Sequence, residues 1–313
     1  MIPLARFVKP TALMLLAVTG LVSCSTQPTP LRVMLLTGES NRFHDWTKSS
    51  PLVKTYLEQT GLFAVDVVTA PPKGVETSDF NPKFSDYAAI VMDYETRDWP
   101  AATKQAFNDY MKNGGGLVTI HAADNGFPTW PEFNEMIGVG GWGMTPTGGV
   151  NGRKPGVGLK IRWRDGHTVA EDSPGNYGHP PPHDFLVTTR SPEHPVMKGL
   201  PVEWLHANDE IYSNLRGPAK NVTVLATGHA DKARFPNGEN EPVLMAISYG
   251  KGRVFHTTLG HVGPNSKPPF LPLLCAGFIV TLQRGTEWAA TGNVTQKIPA
   301  DFPTAAKTSP RTN

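Results

Sequence analysis

The stretch that decides the fold is GGGLVTIHAAD, residues 114–124. Its glycines read as a turn, GLVTIHA as a buried strand, and His121 falls where that strand should end. Working outward, the same pattern recurs upstream. LRVMLLT (31–37), AVDVVTA (64–70) and YAAIVMD (87–93) are short apolar runs of the kind found in strands covered on both faces. Between them lie helical patterns. Leu52, Val53, Tyr56 and Leu57 share one face, with Ser50-Pro51 as the expected helix start and Gly61 as its stop. Phe107, Tyr110 and Met111 share another face, ahead of the glycines at 114–116. Strands alternating with helices of this length predict an α/β, doubly wound, mostly parallel sheet, in which ligands bind beyond the carboxyl ends of the strands.

From about residue 138 to 182 the pattern fails. GVGGWGMTPTGGVNGRKPGVG and SPGNYGHPPPH form a long Gly/Pro-rich loop insertion, expected to wall the site beyond the His121 strand or to lie as a surface insertion. Strands resume at DFLVTT (184–189), VTVLATG (222–228), VLMAISYG (243–250) and GRVFHTTLG (252–260). The GKG between the last two implies a hairpin. A terminal helix is expected in PPFLPLLCAGFIVTLQR, and residues 285–313 are expected to form a loosely ordered tail.

With 29 Lys+Arg against 27 Asp+Glu, the 313-residue chain carries a net charge of only +2, and no basic stripe interleaved with aromatics marks a nucleic-acid surface. The N-terminus differs from the rest. Arg6 and Lys9 precede TALMLLAVTGLV, which has the length of a signal-peptide core and is short for a membrane span. Leu21-Val22-Ser23-Cys24 resembles a bacterial lipobox. That resemblance implies a lipoprotein signal peptide at 1–23, lipidation of Cys24, a linker at 24–30, and a protein exported to the cell envelope. Its membrane contact would be through the lipidated Cys24 only, at the outer membrane if the cell is Gram-negative. The second cysteine, Cys275, lies in an apolar run and reads as an inert buried thiol.

Ten histidines are present, and several stand with carboxylates at strand ends. His44-Asp45 follows the first strand, His121 and Asp124 the fourth, and His183-Asp184 opens a later one. His206, Asp209 and Glu210 fall together, while His256 and His261 flank the end of GRVFHTTLG. Imidazole and carboxylate serve equally as ligands of divalent ions and as general acids or bases. The metal candidates are His44, His121 and His183, with zinc the first choice of ion. His121, Glu210 and Asp124 are the catalytic candidates. His44, Asp45, Asp209 and His261 are candidates for contacting or orienting substrate, and Trp142, with Trp130 and Tyr177, for stacking on it. Each has a plain alternative: Asp45 as a helix cap, the tryptophans as packing under loops, Asp209 and Glu210 as a solvated turn. His194 reads as structural, and His167, His179 and His229 as surface residues.

VMLLTGESNRFHDW, GGGLVTIHAAD, HDFLVTTRSPEHPVMKGLP with NDEIY, and YGKGRVFHTTLGH together resemble the ThuA-like (trehalose-utilisation) family over residues 31–284. The resemblance implies a class I glutamine amidotransferase-like, flavodoxin-like fold. It also implies a small carbohydrate ligand, a trehalose-like glycoside or its 3-keto derivative, and a sugar dehydrogenase as pathway partner, with no nucleotide cofactor. Glutaminases of that fold carry a nucleophilic Cys on the turn where His121 stands, so glutamine hydrolysis is not expected. Isomerase, lyase or hydrolase chemistry on a keto-sugar is the expectation, with a noncatalytic sugar-binding lipoprotein as the alternative.

Overall fold

The computed structural model describes residues 1, 3, 29–96, 98–142, 158–233 and 238–312. All but residues 1 and 3 of the expected signal peptide, Cys24 and residues 143–157 of the Gly/Pro-rich insertion lie outside the described residues. Among the described residues no helix is long and apolar enough to cross a membrane.

The strands are β1 (Leu31–Thr37), β2 (Phe63–Thr69), β3 (Ala89–Met92), β4 (Gly116–Ile120), β5 (Leu159–Arg164), β6 (His167–Glu171), β7 (His183–Thr189), β8 (Glu203–Asp209), β9 (Arg216–Gly217), β10 (Val222–His229), β11 (Asn240–Tyr249) and β12 (Gly252–Thr257). The helices are α1 (Trp46–Glu58), α2 (Ala101–Lys112), α3 (Pro131–Ile137), α4 (Leu271–Leu274) and α5 (Ala276–Thr291). Nine strands form one mixed sheet in the order β2-β1-β3-β4-β12-β11-β10-β7-β8, and β6-β5-β9 form a small second sheet. Alternation along β1 shows why both faces are covered. Val33 and Leu35 join a core with α1 and α5, while Met34 and Leu36 join a second core on the opposite face with α2 and α3.

The α/β expectation holds, but "mostly parallel" needs correction. β2-β1-β3-β4-β12 pair in parallel, whereas β12-β11-β10-β7-β8 are antiparallel throughout. The reason lies in the connections: β11 and β12 are joined by the Gly250-Lys251 turn, too short for a crossover. The reversals alternate, so β8 again runs with β4 and β12, and its carboxyl end lies at the same edge of the sheet.

Three further expectations change. The first helix begins five residues early: Asp45, not Ser50, caps it, accepting from the Thr47 N–H, and Ser50-Pro51 lie inside α1. The stretch read as irregular contains the β5/β6 hairpin, whose charged residues hid its strand pattern. Lys160 and Arg162 of β5 and Arg216 of β9 are all buried. Lys160 and Arg216 donate to the carbonyls of Ser173, Pro174 and Gly175, and Asn214 to that of Asn176, fixing the segment that leads into Tyr177.

The tail at 285–313 is not loose. Residues 285–291 complete α5, and the chain beyond it covers β8, the sheet's edge strand. Leu205 N–H donates to Thr304 O (2.8 Å), Ala276 N–H to Ser309 O (2.8 Å), and Phe302 packs on Trp204. Arg284 gathers the carbonyls of Pro195, Val196, Lys198 and Gln296. The tail lacks apolar periodicity because it is pinned through backbone groups and isolated anchors such as Ile298 and Phe302. Truncation after Gly292 is therefore expected to cost ~3 kcal/mol, two part-buried apolar anchors plus the lost edge hydrogen bonds, and to lower the urea midpoint. An unchanged midpoint would show the tail to be dispensable.

His194 is structural, as expected. Its Nδ1 accepts from the Val196 N–H, its ring lies 4.7 Å from that of Trp288, and burial pushes the imidazole down to about 4. Because the unfolded imidazole takes up a proton near 6.5 that the folded one refuses, its contribution to stability is present above about pH 6.5 and is lost as pH falls towards 4. His194→Asn should flatten that acid dependence, read as urea midpoints at pH 7 and pH 5.

Candidate functional site

Beyond the carboxyl ends of β1, β4, β8 and β12 lies a cleft of ≈ 570 Å³. Four side chains converge at its floor: His44, Glu210 and His261 line it, and His121, buried, lies just behind them. His44, His121, Glu210 and His261 each bring one potential ligand atom, all within 4.8 Å of one another.

Local structure aims each of them. His121 follows β4 directly and is held at φ +44°, a conformation that costs a non-glycine residue ~1–3 kcal/mol and persists only where the surroundings enforce it. Here its Nδ1 lies 2.6 Å from the Thr258 carbonyl, so Nδ1 carries the proton and the Nε2 lone pair faces the Tyr212 hydroxyl and His261. His44 is set the same way. Asn41 donates through Nδ2 to Glu95 and accepts the Phe43 N–H at Oδ1, which orients its amide; the His44 Nδ1–H then donates to Oδ1 at 3.0 Å, leaving Nε2 facing inward. Burial holds the His121 imidazole far below its ordinary value and the His261 imidazole down at about 4, so both stay neutral.

Glu210 and His261 are placed by one carboxylate. Asp209, wholly buried, accepts the N–H groups of Glu210 (2.8 Å), Gly260 (2.7 Å) and His261 (3.1 Å), and the Nε2–H of His206 (2.8 Å). These bonds hold its carboxyl below the usual carboxylate range. Burial, with Asp209 adjacent, pushes Glu210 up to about 8. Glu210 Oε2 lies 3.3 Å from His261 Nδ1 and 3.7 Å from His121 Nε2, and the two imidazoles stand 3.1 Å apart.

The site brings together His44, His121, Glu210 and His261 of the expected set, with Tyr177, a stacking candidate, on the cleft wall, and leaves out the others. His183, expected as a ligand, starts β7 at the correct end of the sheet, but its Nδ1 lies 2.9 Å from the Pro181 carbonyl and its ring faces Phe185. Asp45 caps α1 and pairs with Lys48, so its carboxylate is committed there. Asp124 is fully buried beneath the cleft, 3.6 Å from His256, and burial raises its carboxyl. Trp142 donates to the Gly126 carbonyl at 3.0 Å and is only 1% exposed; with Trp130 it packs under the loops and presents no face to a ligand.

Sequence reasoning missed Asn41, Phe43 and Tyr212; His179, read as a surface residue, is exposed as expected, but the surface it occupies is the cleft wall. His179 lines the cleft, its Nδ1 3.3 Å from Glu210 Oε1. Phe43, 45% exposed, stands at the rim with the Arg42 guanidinium over its ring. The NRFHDW segment carries a signal for Phe43, an aromatic beside a strand-end His in a polar stretch. Tyr212 closes the NDEIY motif of the family resemblance, the one local signal that could have found it.

A family model described as trehalose utilisation, ThuA, matches residues 32–278. Among solved structures, a ThuA-like protein from Parabacteroides merdae is 42% identical, with a TM-score of 0.82 over 90% of this chain and 98% of that one. A ThuA-like protein from Bacteroides uniformis, 19% identical, shares the fold, with a TM-score of 0.54 over 87% of this chain and 96% of that one. No curated protein matches. With most of its length matched by the model, and a relative this similar over nine-tenths of it, the chain belongs to the ThuA trehalose-utilisation family.

Proposed function

We propose that the cleft is the active site of a carbohydrate-acting enzyme which works by acid/base chemistry on a trehalose-like glycoside or its 3-keto derivative, with a divalent transition ion, zinc first, held by His44, His121, His261 and Glu210. The observation that carries this is the donor set itself. Three imidazoles and a carboxylate form a common zinc ligand chemistry; separations of 3.1, 3.3 and 3.7 Å among His121, His261 and Glu210 lie around the roughly 3.4 Å edge of a tetrahedron whose metal–nitrogen distance is near 2.1 Å, and His44 completes the set within 4.8 Å. The Nδ1 atoms of His44 and His121 are engaged by Asn41 and Thr258, the outer-shell arrangement that orients imidazole ligands. A bound ion would supply Lewis-acid polarisation of a carbonyl or hydroxyl oxygen. His179, on the cleft wall beside Glu210, is the imidazole placed to move a proton at the substrate.

Carbohydrate as the substrate class is supported by the family description and by the lining. Phe43 offers an apolar face for a pyranose ring, while Asn41, Asn125, Asn265 and Ser266 offer hydrogen-bonding groups around it. The order β2-β1-β3-β4-β12 in the parallel half supports the finer reading of a flavodoxin-like core. Export and lipidation at Cys24 rest on residues 1–24 alone. The keto-sugar substrate calls for a sugar dehydrogenase upstream.

The test is elemental analysis of the tag-free full chain purified without chelators, followed by binding and turnover of trehalose and 3-ketotrehalose. About one transition ion per chain, with turnover, is expected. Phe43→Ala should weaken sugar binding by about ten-fold, a loss of ~1.4 kcal/mol, without changing ion content. Failure to take up zinc, manganese or cobalt would remove the metal from this reading. Sugar binding without turnover would establish the noncatalytic alternative.

A further inference from the structure

We propose, building on the reading of the cleft as a metal site, that the phenol oxygen of Tyr212 is a fifth ligand of the bound ion. Tyr212 lies in the segment that leaves β8 after Asp209 and turns back towards the middle of the sheet, and it is 1% exposed. Its position is closely determined. On one side its ring lies against His121, with centroids 4.4 Å apart, and on the other it meets Tyr177 edge-on at 5.2 Å. The next residue, Ser213, exchanges both backbone hydrogen bonds with Gly178 (2.8 and 3.1 Å).

This packing sets the Tyr212 oxygen 2.6 Å from His121 Nε2 and 3.1 Å from His44 Nε2, in the middle of the ligand set. Counting protons shows what that position implies. The protons of His44 and His121 sit on their Nδ1 atoms, given to Asn41 and Thr258, so both Nε2 atoms present lone pairs to the phenol. The phenol has one proton for these two lone pairs and for its bond with the Tyr177 hydroxyl, so it satisfies one of them at most. The remaining contact sets an oxygen lone pair against a nitrogen lone pair at 3.1 Å, an arrangement that favours a cation between them. Adjacent ligands of an ion at 2.0–2.1 Å stand roughly 2.9–3.5 Å apart for angles of 90–120°, so the 3.1 Å contact is already a coordination edge. The 2.6 Å contact becomes one when the bridging proton leaves. Binding then breaks the O–H bond, forms the oxygen–metal bond and releases one proton to solvent. No oxidant or co-reactant is needed.

The test uses Cu(II) as a spectroscopic probe on the tag-free full chain, after zinc titration has established stoichiometry. The loaded wild-type protein should show a visible phenolate-to-copper charge-transfer band with tyrosinate ring modes in its resonance Raman spectrum. Tyr212→Phe removes one hydroxyl and should abolish the band, while about one ion still binds at least ~10-fold more weakly, the lower end of what losing even an outer-shell partner costs. Tyr177→Phe should retain the band. A loaded wild-type protein without the band, or a band that survives in Tyr212→Phe, overturns the assignment while leaving the metal site standing. A wild-type chain that binds no ion overturns both.

Discussion

Replacing His121 is expected to remove the ion from the cleft and abolish turnover while the fold survives. The informative variant is His121→Gly, because His121 sits at φ +44°, where glycine is unstrained. The substitution gives up the hydrogen bonds to Thr258 and Tyr212, worth ~1 kcal/mol each, and recovers ~1–3 kcal/mol of strain, so the urea midpoint should fall only modestly. His121→Ala loses the same bonds and keeps the strain, and should be the less stable of the two by about 1 kcal/mol. Ion affinity, measured by competition with a chelating indicator, should fall by at least ~100-fold in both, since losing an outer-shell partner alone costs 10–100-fold. Wild-type affinity in His121→Gly would show that the imidazoles do not form one site.

The second large effect is expected at Asp209. Its carboxylate accepts four hydrogen bonds in a wholly buried position, and three come from Glu210, Gly260 and His261, the backbone that carries two of the proposed ligands. Asp209→Ala leaves these N–H groups and the His206 imidazole buried without their acceptor, a loss of ~3–5 kcal/mol. Asp209→Asn keeps one accepting oxygen but turns an amide group towards donors, and should fall between Ala and wild type. Both variants should bind the ion more weakly even at temperatures where they remain folded, because Glu210 and His261 are no longer held in register. Urea denaturation with a parallel zinc titration measures the two effects separately. A destabilised Asp209→Ala that bound zinc with wild-type affinity would limit Asp209 to a structural role.

How much of this was legible in the sequence depended on the range of the cause. β1, β3, β4 and the α2 pattern could be read because burial on both faces leaves continuous apolar runs and helical spacing within a dozen residues. β5 could not, because its buried face carries Lys160 and Arg162, which are tolerated only through partners far away in the chain, Glu241 and Asn214 among them. Asp45 was visible both as a cap and as a candidate for contacting or orienting substrate, and only the placement of α1 decided for the cap. His183 and His261 look alike in sequence, each at a strand end. The register of β7 leaves His183 outside the cluster, whereas the turn after β12, clipped to Asp209, brings His261 to His121.

The sequence by itself determined the alternating α/β architecture, the family and the fact that imidazoles and carboxylates gather at strand ends, since these follow from local hydrophobic periodicity and from motifs within short windows. The tertiary structure decided which of those groups meet. His121 and His261 are 140 residues apart and come together because β4 pairs with β12. Glu210 and Tyr212 arrive from the far edge of the sheet because the antiparallel half restores the direction of β8. Strand order and direction are set by long-range pairing and burial, so the convergence of these four side chains at one cleft exists only once the sheet has formed.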